Sequence, residues 1–301
     1  MTDNSVKTEY SVALGFFDGL HSAHKAVLEG ALTNALRLGL TPAVLLFDEH
    51  PRTVLTGDAV PSLLTKSERD ERLRKMGFTL LFVSFKEIMN MLPEEFVDKI
   101  LCERFRAGAL SCGYNYNFGK SASGNTEILG KLCKERGIVL SVCPEFTLNG
   151  QTVSSTEIRK ALENGDTERA NGMLGYAFGF TAPVFTGDRR GRLLGSPTIN
   201  QYIPGELITP KFGVYASRVY FDGREYTGVT NIGARPTFGE GSVRSETFIV
   251  DFSGDLYGRD VRVEIYSFIR GERKFPDADA LKAQIEEDVM SAKKYFGGEA
   301  L

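Results

Sequence analysis

Long apolar runs, closely paired cysteines and an excess of one charge are all absent from this 301-residue sequence. No window approaches the roughly 18 apolar residues that a membrane span needs. The first ten residues contain no apolar core of signal-peptide length. With 42% hydrophobic and 25% charged residues, the composition is typical of a soluble globular protein with room for two domains. We therefore expect a cytoplasmic protein that does not enter a membrane.

The few cysteines and the charge balance exclude further classes. Cys102, Cys112, Cys133 and Cys143 form no C-x-x-C pair, so neither a zinc site nor a disulfide framework is indicated, and we interpret them as buried thiols. A net charge of −3 and a pI near 5.8 argue against nucleic acid as a partner. We expect small-molecule substrates, and a monomer or a transient homo-oligomer.

Histidine is also scarce, and two of the three histidines lie in one turn. The apolar run Val12–Leu14 precedes a glycine-containing turn and a segment of helical periodicity. His21 and His24 are three residues apart, which places them on one face of the first helical turn. Unpaired backbone N–H groups and the positive end of the helix dipole meet there, so the turn suits a phosphate group. The alternative is an ordinary strand-to-helix turn with two surface histidines.

Two further segments follow apolar strands in the same half. Residues 10–142 alternate strands and helices, which predicts a parallel sheet with helices on both faces. Ligands of such sheets bind beyond the carboxyl ends of the strands. Phe47–Arg52, which contains His50, follows one strand, and the amide-rich and aromatic loop Gly113–Gly119 follows another. Each segment alone is equally consistent with a plain loop.

A third pattern occurs where the alternation ends. In Ser154–Arg159, Ser154 and Glu157 form a capping box at the start of a helix. Hydroxyls, free N–H groups and Arg159 in that position also suit a triphosphate. Both interpretations can hold at once.

The pattern changes near residue 174. The remaining chain is rich in glycine and strand-like, and the Asp222-Gly223 turn predicts a hairpin. We therefore expect an antiparallel sheet or small barrel. A final helix from Pro276 to about Phe296 follows, and four of its apolar residues can cover an open end of the barrel: Leu281, Ile285, Val289 and Met290.

The segment Gly187–Asn200 combines glycines, three arginines and a Pro-Thr-x-Asn sequence. Glycines let backbone amides approach phosphate oxygens, and the side-chain oxygens of Thr198 and Asn200 are hard ligands that suit Mg²⁺. The alternative is a long basic surface loop.

In their order, these segments resemble the prokaryotic bifunctional riboflavin kinase/FAD synthetase family. Residues 15–24 are similar to its HxGH-type signature, with Ala23 in place of the usual glycine. The family's F-D-x-H-P, G-x-[DN]-F-x-F-G and S-S-T-x-I-R segments resemble residues 47–51, 113–119 and 154–159, with Tyr116 replacing a phenylalanine. The kinase motif G-x-x-L-G-x-P-T-x-N resembles residues 191–200, with Ser196 replacing a phenylalanine, and residues 231–239 and 245–258 resemble further kinase segments. The resemblance covers the chain from about Val12 to Phe275.

The resemblance implies an α/β fold in two domains. Residues 1–174 would form a Rossmann-like nucleotidyltransferase domain with a parallel sheet, and residues 175–301 an antiparallel β-barrel riboflavin kinase domain with a terminal helix. The second domain would phosphorylate riboflavin to FMN with ATP. The first would adenylylate FMN to FAD with a second ATP, releasing pyrophosphate, with Mg²⁺ as cofactor.

The resemblance also implies roles for individual residues. Glu246 would be the catalytic base of the kinase, and His21 and His24 would serve adenylyl transfer. ATP and phosphate binding would fall to Gly15, Asp18, Gly19, His21, His24, Asn115, Ser154, Ser155, Thr156 and Arg159 in the first domain, and to Gly191, Gly195, Thr198 and Asn200 in the second. Thr198 and Asn200 would also hold Mg²⁺. Flavin binding would fall to His50, Asn115, Phe118, Asn231 and Arg235. Without the resemblance, an isolated strand glutamate such as Glu246 is more often simply solvated.

Two other functions stay open at this point. Ala23 departs from the family pattern, so a kinase with a degenerate first domain is one alternative. A flavin-responsive binding protein without turnover is another, although the two histidines and Glu246 speak against it.

Overall fold

The computed structural model describes residues 9–186, 198–234 and 243–297. Contacts divide the chain into two compact units. Lys66–Ser154 and the residues up to Val60 form the first, whereas Pro61–Thr65 and the chain from Ser155 onward form the second. The sequence prediction placed the domain boundary later, at residue 174.

The first unit contains a five-stranded parallel sheet in the order β3-β2-β1-β4-β5. Its central strands are buried apolar runs, as expected for a sheet covered on both faces. Its elements are β1 (Tyr10–Leu14), α1 (Ser22–Leu38), β2 (Thr41–Phe47), α2 (Pro51–Thr56), α3 (Lys66–Lys75), β3 (Thr79–Val83), α4 (Phe85–Ile88), α5 (Pro93–Glu95), β4 (Ala107–Gly113), α6 (Thr126–Glu135), β5 (Val139–Cys143), β6 (Thr147–Leu148) and β7 (Gln151–Thr152).

Strand β1 lies between β2 and β4, so the chain leaves the centre of the sheet in one direction first and in the other later. Ligands of such sheets bind at this reversal, beyond the carboxyl ends of the strands. The three predicted segments of this half follow β1, β2 and β4, which are neighbours. A π-helix (Phe96–Arg104) continues α5.

Two of the four cysteines are buried in the core of this sheet. Burial raises the pKa of the Cys112 thiol to about 12 and that of the Cys133 thiol to about 11, so both stay protonated at neutral pH. Cys102 and Cys143 are only half-buried, and all four are free thiols. The prediction of buried thiols is therefore confirmed for Cys112 and Cys133 and too strong for the other two.

The second unit is a nearly closed antiparallel barrel of six strands in the order β8-β13-β10-β11-β12-β9. An antiparallel bridge between Phe185 and Asn200 connects its two ends. Asp222 and Gly223 both have positive φ, 52° and 69°, as a two-residue hairpin turn requires. The elements are α7 (Ser155–Asn164), α8 (Thr167–Leu174), β8 (Gly179–Pro183), β9 (Thr198–Tyr202), β10 (Gly213–Phe221), β11 (Arg224–Ala234), β12 (Val243–Ile249), β13 (Asp260–Arg270) and α9 (Ala278–Gly297).

Helices α7 and α8 group with the barrel. The Asn171 side chain donates to the Ile265 carbonyl of β13 at 2.9 Å and accepts from the Phe178 N–H at 2.8 Å. These bonds connect α8 to β13 and to the residue that precedes β8. They explain why α8 belongs to the second unit, whose longer segment begins at Ser155.

The barrel strands alternate between two faces. Val214, Ala216 and Val229 pack against Ala292 and Phe296 of α9. The opposite face carries buried hydroxyls, which satisfy one another: the Thr230 hydroxyl donates to Ser217 at 2.7 Å and lies 2.9 Å from the Thr247 hydroxyl.

Helix α9 buries a partly polar face. Its buried side chains recur every four residues: Gln284, Asp288, Ala292 and Phe296. The predicted covering residues Leu281, Ile285 and Val289 are half-buried, and Met290 is 63% exposed, so that prediction is wrong for Met290. The face that the helix buries instead contains one partner of an ion pair. Asp288, 2% exposed, accepts from Arg270 Nε and Nη2 at 3.0 and 2.8 Å, and from Gln284 at 2.9 Å.

Removing one partner of this buried pair should loosen α9. Asp288→Ala leaves the Arg270 guanidinium without its carboxylate, a loss of about 3 kcal/mol. Hydrogen exchange of the α9 amides should therefore become about 100-fold faster. Lys293→Ala on the same helix removes only the exposed pair with Asp251 and should change exchange less than about fivefold. Equal effects of the two variants would contradict the assigned role of Asp288.

Candidate active sites

The turn after β1 has an unusual backbone. Phe17, Gly19 and Leu20 have φ of 55°, 75° and 41°, all in the left-handed region. A short 3-10 turn forms there, so α1 begins at Ser22 with His21 as its N-cap. The turn needs glycine at position 19, because its backbone suits a residue without Cβ. Gly15 also lies close to neighbours, since a Cβ there would lie 3.2 Å from the Phe17 ring.

His21 and His24 are stacked, with ring centroids 3.7 Å apart and planes at 15°. His21 Nδ1 accepts from the His24 backbone N–H at 3.3 Å. Because Nδ1 is the acceptor, a neutral His21 ring carries its proton on Nε2. The two predicted histidines are thus held together at the N-terminus of α1.

His24 is held neutral by its surroundings. Burial lowers its pKa well below the usual value, the nearby His21 lowers it further, and the Asp18 backbone carbonyl offsets part of the shift. Its Nδ1 is buried and has no hydrogen-bond partner in the described ranges. Asp18 is itself buried in the same turn.

The segment after β2 lies against this turn. The His50 ring meets the Phe16 ring edge-on, with centroids 4.2 Å apart. His50 is the N-cap of α2, and its Nδ1 accepts from the Arg52 N–H at 3.0 Å. The structure therefore brings together the segments that follow β1 and β2.

The loop after β4 divides its residues between surface and core. Asn115 and Tyr114 are exposed at the end of the strand. Phe118 is 7% exposed and packs in the core, with its ring centroid 5.6 Å from that of Phe96. This contact supports a packing role for Phe118, and its predicted contact with flavin stays a prediction.

Ser154–Arg159 falls at the contact boundary. Ser154 is the last residue of the first unit, and Ser155 and Thr156 begin α7 in the second. Arg159 Nε donates to the Pro61 carbonyl at 2.7 Å, within the second unit. The predicted part of this segment in triphosphate binding stays a prediction.

In the barrel, strand register aligns three predicted residues. Glu246 of β12 stands directly opposite Asn200 of β9 on one side and Asn231 of β11 on the other. Directly opposed residues place their side chains on one face, with Cβ atoms about 4.5–5.5 Å apart. Thr198, two residues before Asn200, lies on that face as well. We call these four residues the barrel row.

The remaining predicted site residues of the barrel, Gly191, Gly195 and Arg235, lie outside the described residues, as does Ser196.

Sequence reasoning missed Arg244. This side chain is 9% exposed, and its Nη2 donates to Asn200 Oδ1 at 3.2 Å. The only signal in the sequence was its position two residues before Glu246, which in a strand places both on one face.

The donor set of the barrel row fits Mg²⁺. It offers a hydroxyl, an amide oxygen and a carboxylate, all hard ligands. Within the described ranges, no three His, Cys, Asp or Glu side chains form a group that could hold a metal. Mg²⁺ bound mainly by nucleotide phosphates and water needs only one or two protein ligands.

Models of two protein families match the chain. The FAD synthetase model matches residues 3–157, and the riboflavin kinase model matches residues 174–296. Each match falls on one of the two site-bearing regions.

In the described part of the chain, no helix has the length and apolar character needed to span a membrane.

Several relatives are named bifunctional riboflavin kinase/FMN adenylyltransferase. The protein of Listeria monocytogenes is 33% identical over 300 residues, covering 98% of this chain and 95% of the relative. That of Bacillus subtilis is 36% identical over 293 residues, covering 95% and 92%. That of Escherichia coli K12 is 32% identical over 290 residues, also covering 95% and 92%.

One solved structure matches along nearly the whole chain. It is described as a macrolide-efflux protein from Streptococcus pneumoniae and is 28% identical, with a TM-score of 0.86 and coverage of 97% of this chain and 96% of that one. Together with the relatives and the two family matches, it confirms the α/β fold with a C-terminal barrel. The chain belongs to the bifunctional riboflavin kinase/FMN adenylyltransferase family.

Proposed function

We propose that this chain carries out its two reactions at the two sites described above. Membership of the family makes it both a riboflavin kinase and an FAD synthetase, with ATP and flavins as substrates. The observation that supports the kinase site is the barrel row, which aligns residues from β11 and β12 with residues of β9, a strand that is not consecutive with them in the chain. Neither a kinase with a degenerate first domain nor a binding protein without turnover is favoured.

In the kinase reaction, Glu246 is the general base. It accepts the proton of the ribityl hydroxyl as that oxygen attacks the γ-phosphorus of ATP and ADP leaves. Thr198 and Asn200 lie beside it and hold the nucleotide, and Asn231, on its other side, faces the flavin. When bound there by Thr198 and Asn200, Mg²⁺ neutralises charge on the phosphates.

In adenylyl transfer, a phosphate oxygen of FMN attacks the α-phosphorus of ATP and displaces pyrophosphate. The attacking phosphate is already anionic near neutral pH, so no protein base is needed. The chain's task is to position the two phosphates and stabilise the charge that develops on the leaving group. His21 Nε2–H, His24 and the N-terminus of α1 supply donors for that purpose, while His50 and Asn115 contact the flavin nucleotide.

We further propose a cytoplasmic chain that works on small molecules without nucleic acid, as a monomer or a transient homo-oligomer. Its slightly acidic net charge supports the exclusion of nucleic acid. The test of both activities is incubation with riboflavin, ATP and Mg²⁺, with FMN and FAD separated by chromatography. We expect FMN first and FAD later.

Glu246→Gln should separate the two activities. Glutamine is nearly isosteric but cannot accept the proton, so FMN formation should fall by about 10²- to 10⁴-fold. FAD formation from supplied FMN should persist. Glu225→Gln is the matched control, because Glu225 is an exposed glutamate of the same barrel that pairs with Arg218. If FAD formation falls as far as FMN formation, the variant is misfolded or the two sites are not separate.

His24→Ala should have the opposite selectivity. It removes a donor from the phosphate turn, and loss of one such donor costs about 10²- to 10³-fold in rate. FAD formation from FMN should fall by that factor, whereas FMN formation, measured in the same sample, should continue. A variant that makes FAD at the parent rate would remove this turn from the mechanism.

The lowered pKa of His24 predicts a loss of stability in weak acid. Below the unfolded-state pKa of about 6.5, the histidine of the unfolded chain takes up a proton, whereas the folded His24 resists protonation. The free energy of unfolding therefore decreases as the pH is lowered. Between pH 7.5 and 5.5 this contribution is on the order of 1 kcal/mol. Urea unfolding of the parent and of His24→Gln should show a smaller pH dependence in the variant by about that amount. Parallel pH profiles would show that His24 titrates normally.

A further inference from the structure

Arg244 contacts a pair of aromatic rings beside the barrel row. Its guanidinium carbon lies 4.7 Å from the Phe185 ring centroid and 5.8 Å from that of Tyr202. Those two rings stack on each other, with centroids 4.4 Å apart and planes at 13°. The side chain is therefore fixed in direction, and its Nη2 reaches Asn200 Oδ1.

The same aromatic residue also fixes the backbone of Asn200. The Phe185 N–H donates to the Asn200 carbonyl at 2.9 Å. Phe185 thus holds the Asn200 main chain through a hydrogen bond. By stacking, it also holds the Arg244 side chain, which bonds the Asn200 amide. Arg244 itself stands opposite Tyr202 in the ladder, two residues before Glu246.

The hydrogen bond between Arg244 and Asn200 fixes which end of the Asn200 amide faces the guanidinium. An asparagine amide has two ends of similar shape, of which only the oxygen can ligate a cation, and rotation by about half a turn exchanges them. A guanidinium has donors only, so it can bond the oxygen end and not the NH₂ end. The amide oxygen has two acceptor positions, so one remains available when Arg244 occupies the other.

Packing alone does not account for an arginine here. Its Nε is buried and has no hydrogen-bond partner within the described ranges, which is unfavourable for a charged group. An apolar side chain would stack on Phe185 without leaving a buried N–H unpaired. A donor at this position selects the orientation in which the Asn200 oxygen faces it.

We propose that Arg244 is a positioning residue of the kinase reaction, which holds the Asn200 amide with its oxygen oriented to bind Mg-ATP. The inference rests on the proposed role of Thr198 and Asn200 in holding that substrate. Arg244 acts through Asn200 and does not itself touch the reacting atoms.

The test is Arg244→Gln in the full chain. We expect the KM for Mg-ATP in FMN formation to rise about tenfold while kcat changes less than about threefold, and FAD formation from FMN to stay at the parent level. A second readout does not depend on turnover. The Mg-ADP concentration that half-protects the β9 and β12 amides from hydrogen exchange should rise by a similar factor. Arg244→Lys keeps a donor but loses the planar stacking, so both values should rise less than in Arg244→Gln.

A double variant tests whether Arg244 works through Asn200. We expect Asn200→Ala to raise both values by itself, and Arg244→Gln to add nothing further to it. Arg218→Gln is the matched control, because Arg218 stacks on Phe296 at 3.8 Å in the same barrel but bonds Thr227 instead of a residue of the row. It should leave both values near those of the parent.

The remaining outcomes separate the inference from the proposed function. If Asn200→Ala raises both values and Arg244→Gln does not, the positioning role is overturned and the proposed site stands. If Asn200→Ala has no effect, the proposed nucleotide role of Asn200 fails, and the inference with it. Full additivity in the double variant would overturn the inference by showing that Arg244 acts independently of Asn200. The same losses in Arg218→Gln would overturn it by showing that Arg244 acts only through packing. Should Arg244→Gln not fold, Arg244→Lys decides by the same criteria.

Discussion

Closure of the barrel at β9 is the constraint on which the proposed kinase site depends. The Phe185–Asn200 bridge connects this strand to the end of β8, and the Gln201 side chain donates to the carbonyls of Ala182 and Val261 at 2.6 and 2.8 Å. Without these bonds β9 would be an edge strand with one unpaired side. Asn200 would then be held only by the pairing of β9 with β12, which sets it opposite Glu246. The residues that close the barrel are therefore the same as, or adjacent to, those that we propose to hold the nucleotide.

The first unit positions its predicted site segments in a different way. No closure is needed there, because the parallel sheet already places the ends of β1, β2 and β4 side by side. What must be fixed is the turn that leaves each strand. Histidine does this twice, since His21 and His50 each accept a backbone N–H through Nδ1 as the N-cap of the next helix. Capping and substrate binding are thus compatible roles for one ring, because the cap uses only one of its two nitrogens.

Much of this could be read from the sequence, because it depends on local patterns. Apolar runs, glycine turns and the Asp222-Gly223 hairpin predict the strands, and strand ends in an α/β sheet predict where ligands bind. The burial of Phe118 against Phe96 and the contact of Arg244 with Asn200 could not be predicted in this way. Both depend on pairing between segments far apart in the chain, which periodicity does not specify. The polar face of α9 was missed for a related reason, since only the folded barrel brings Arg270 to Asp288.

Among the described residues, the barrel row and the His21–His24 pair carry little formal charge for groups that we propose to bind triphosphates. His24 is kept neutral, and within the described ranges the barrel row contains a single carboxylate and no acidic cluster that could hold a metal without nucleotide. ATP then brings most of the charge, and Mg²⁺ with it. When a metal takes only one or two ligands from a protein, each must be correctly oriented, because a misplaced oxygen is a large share of the set. That requirement explains why a side chain as free to rotate as that of Asn200 is bonded at both its backbone and its amide, and why a buried arginine is retained beside it.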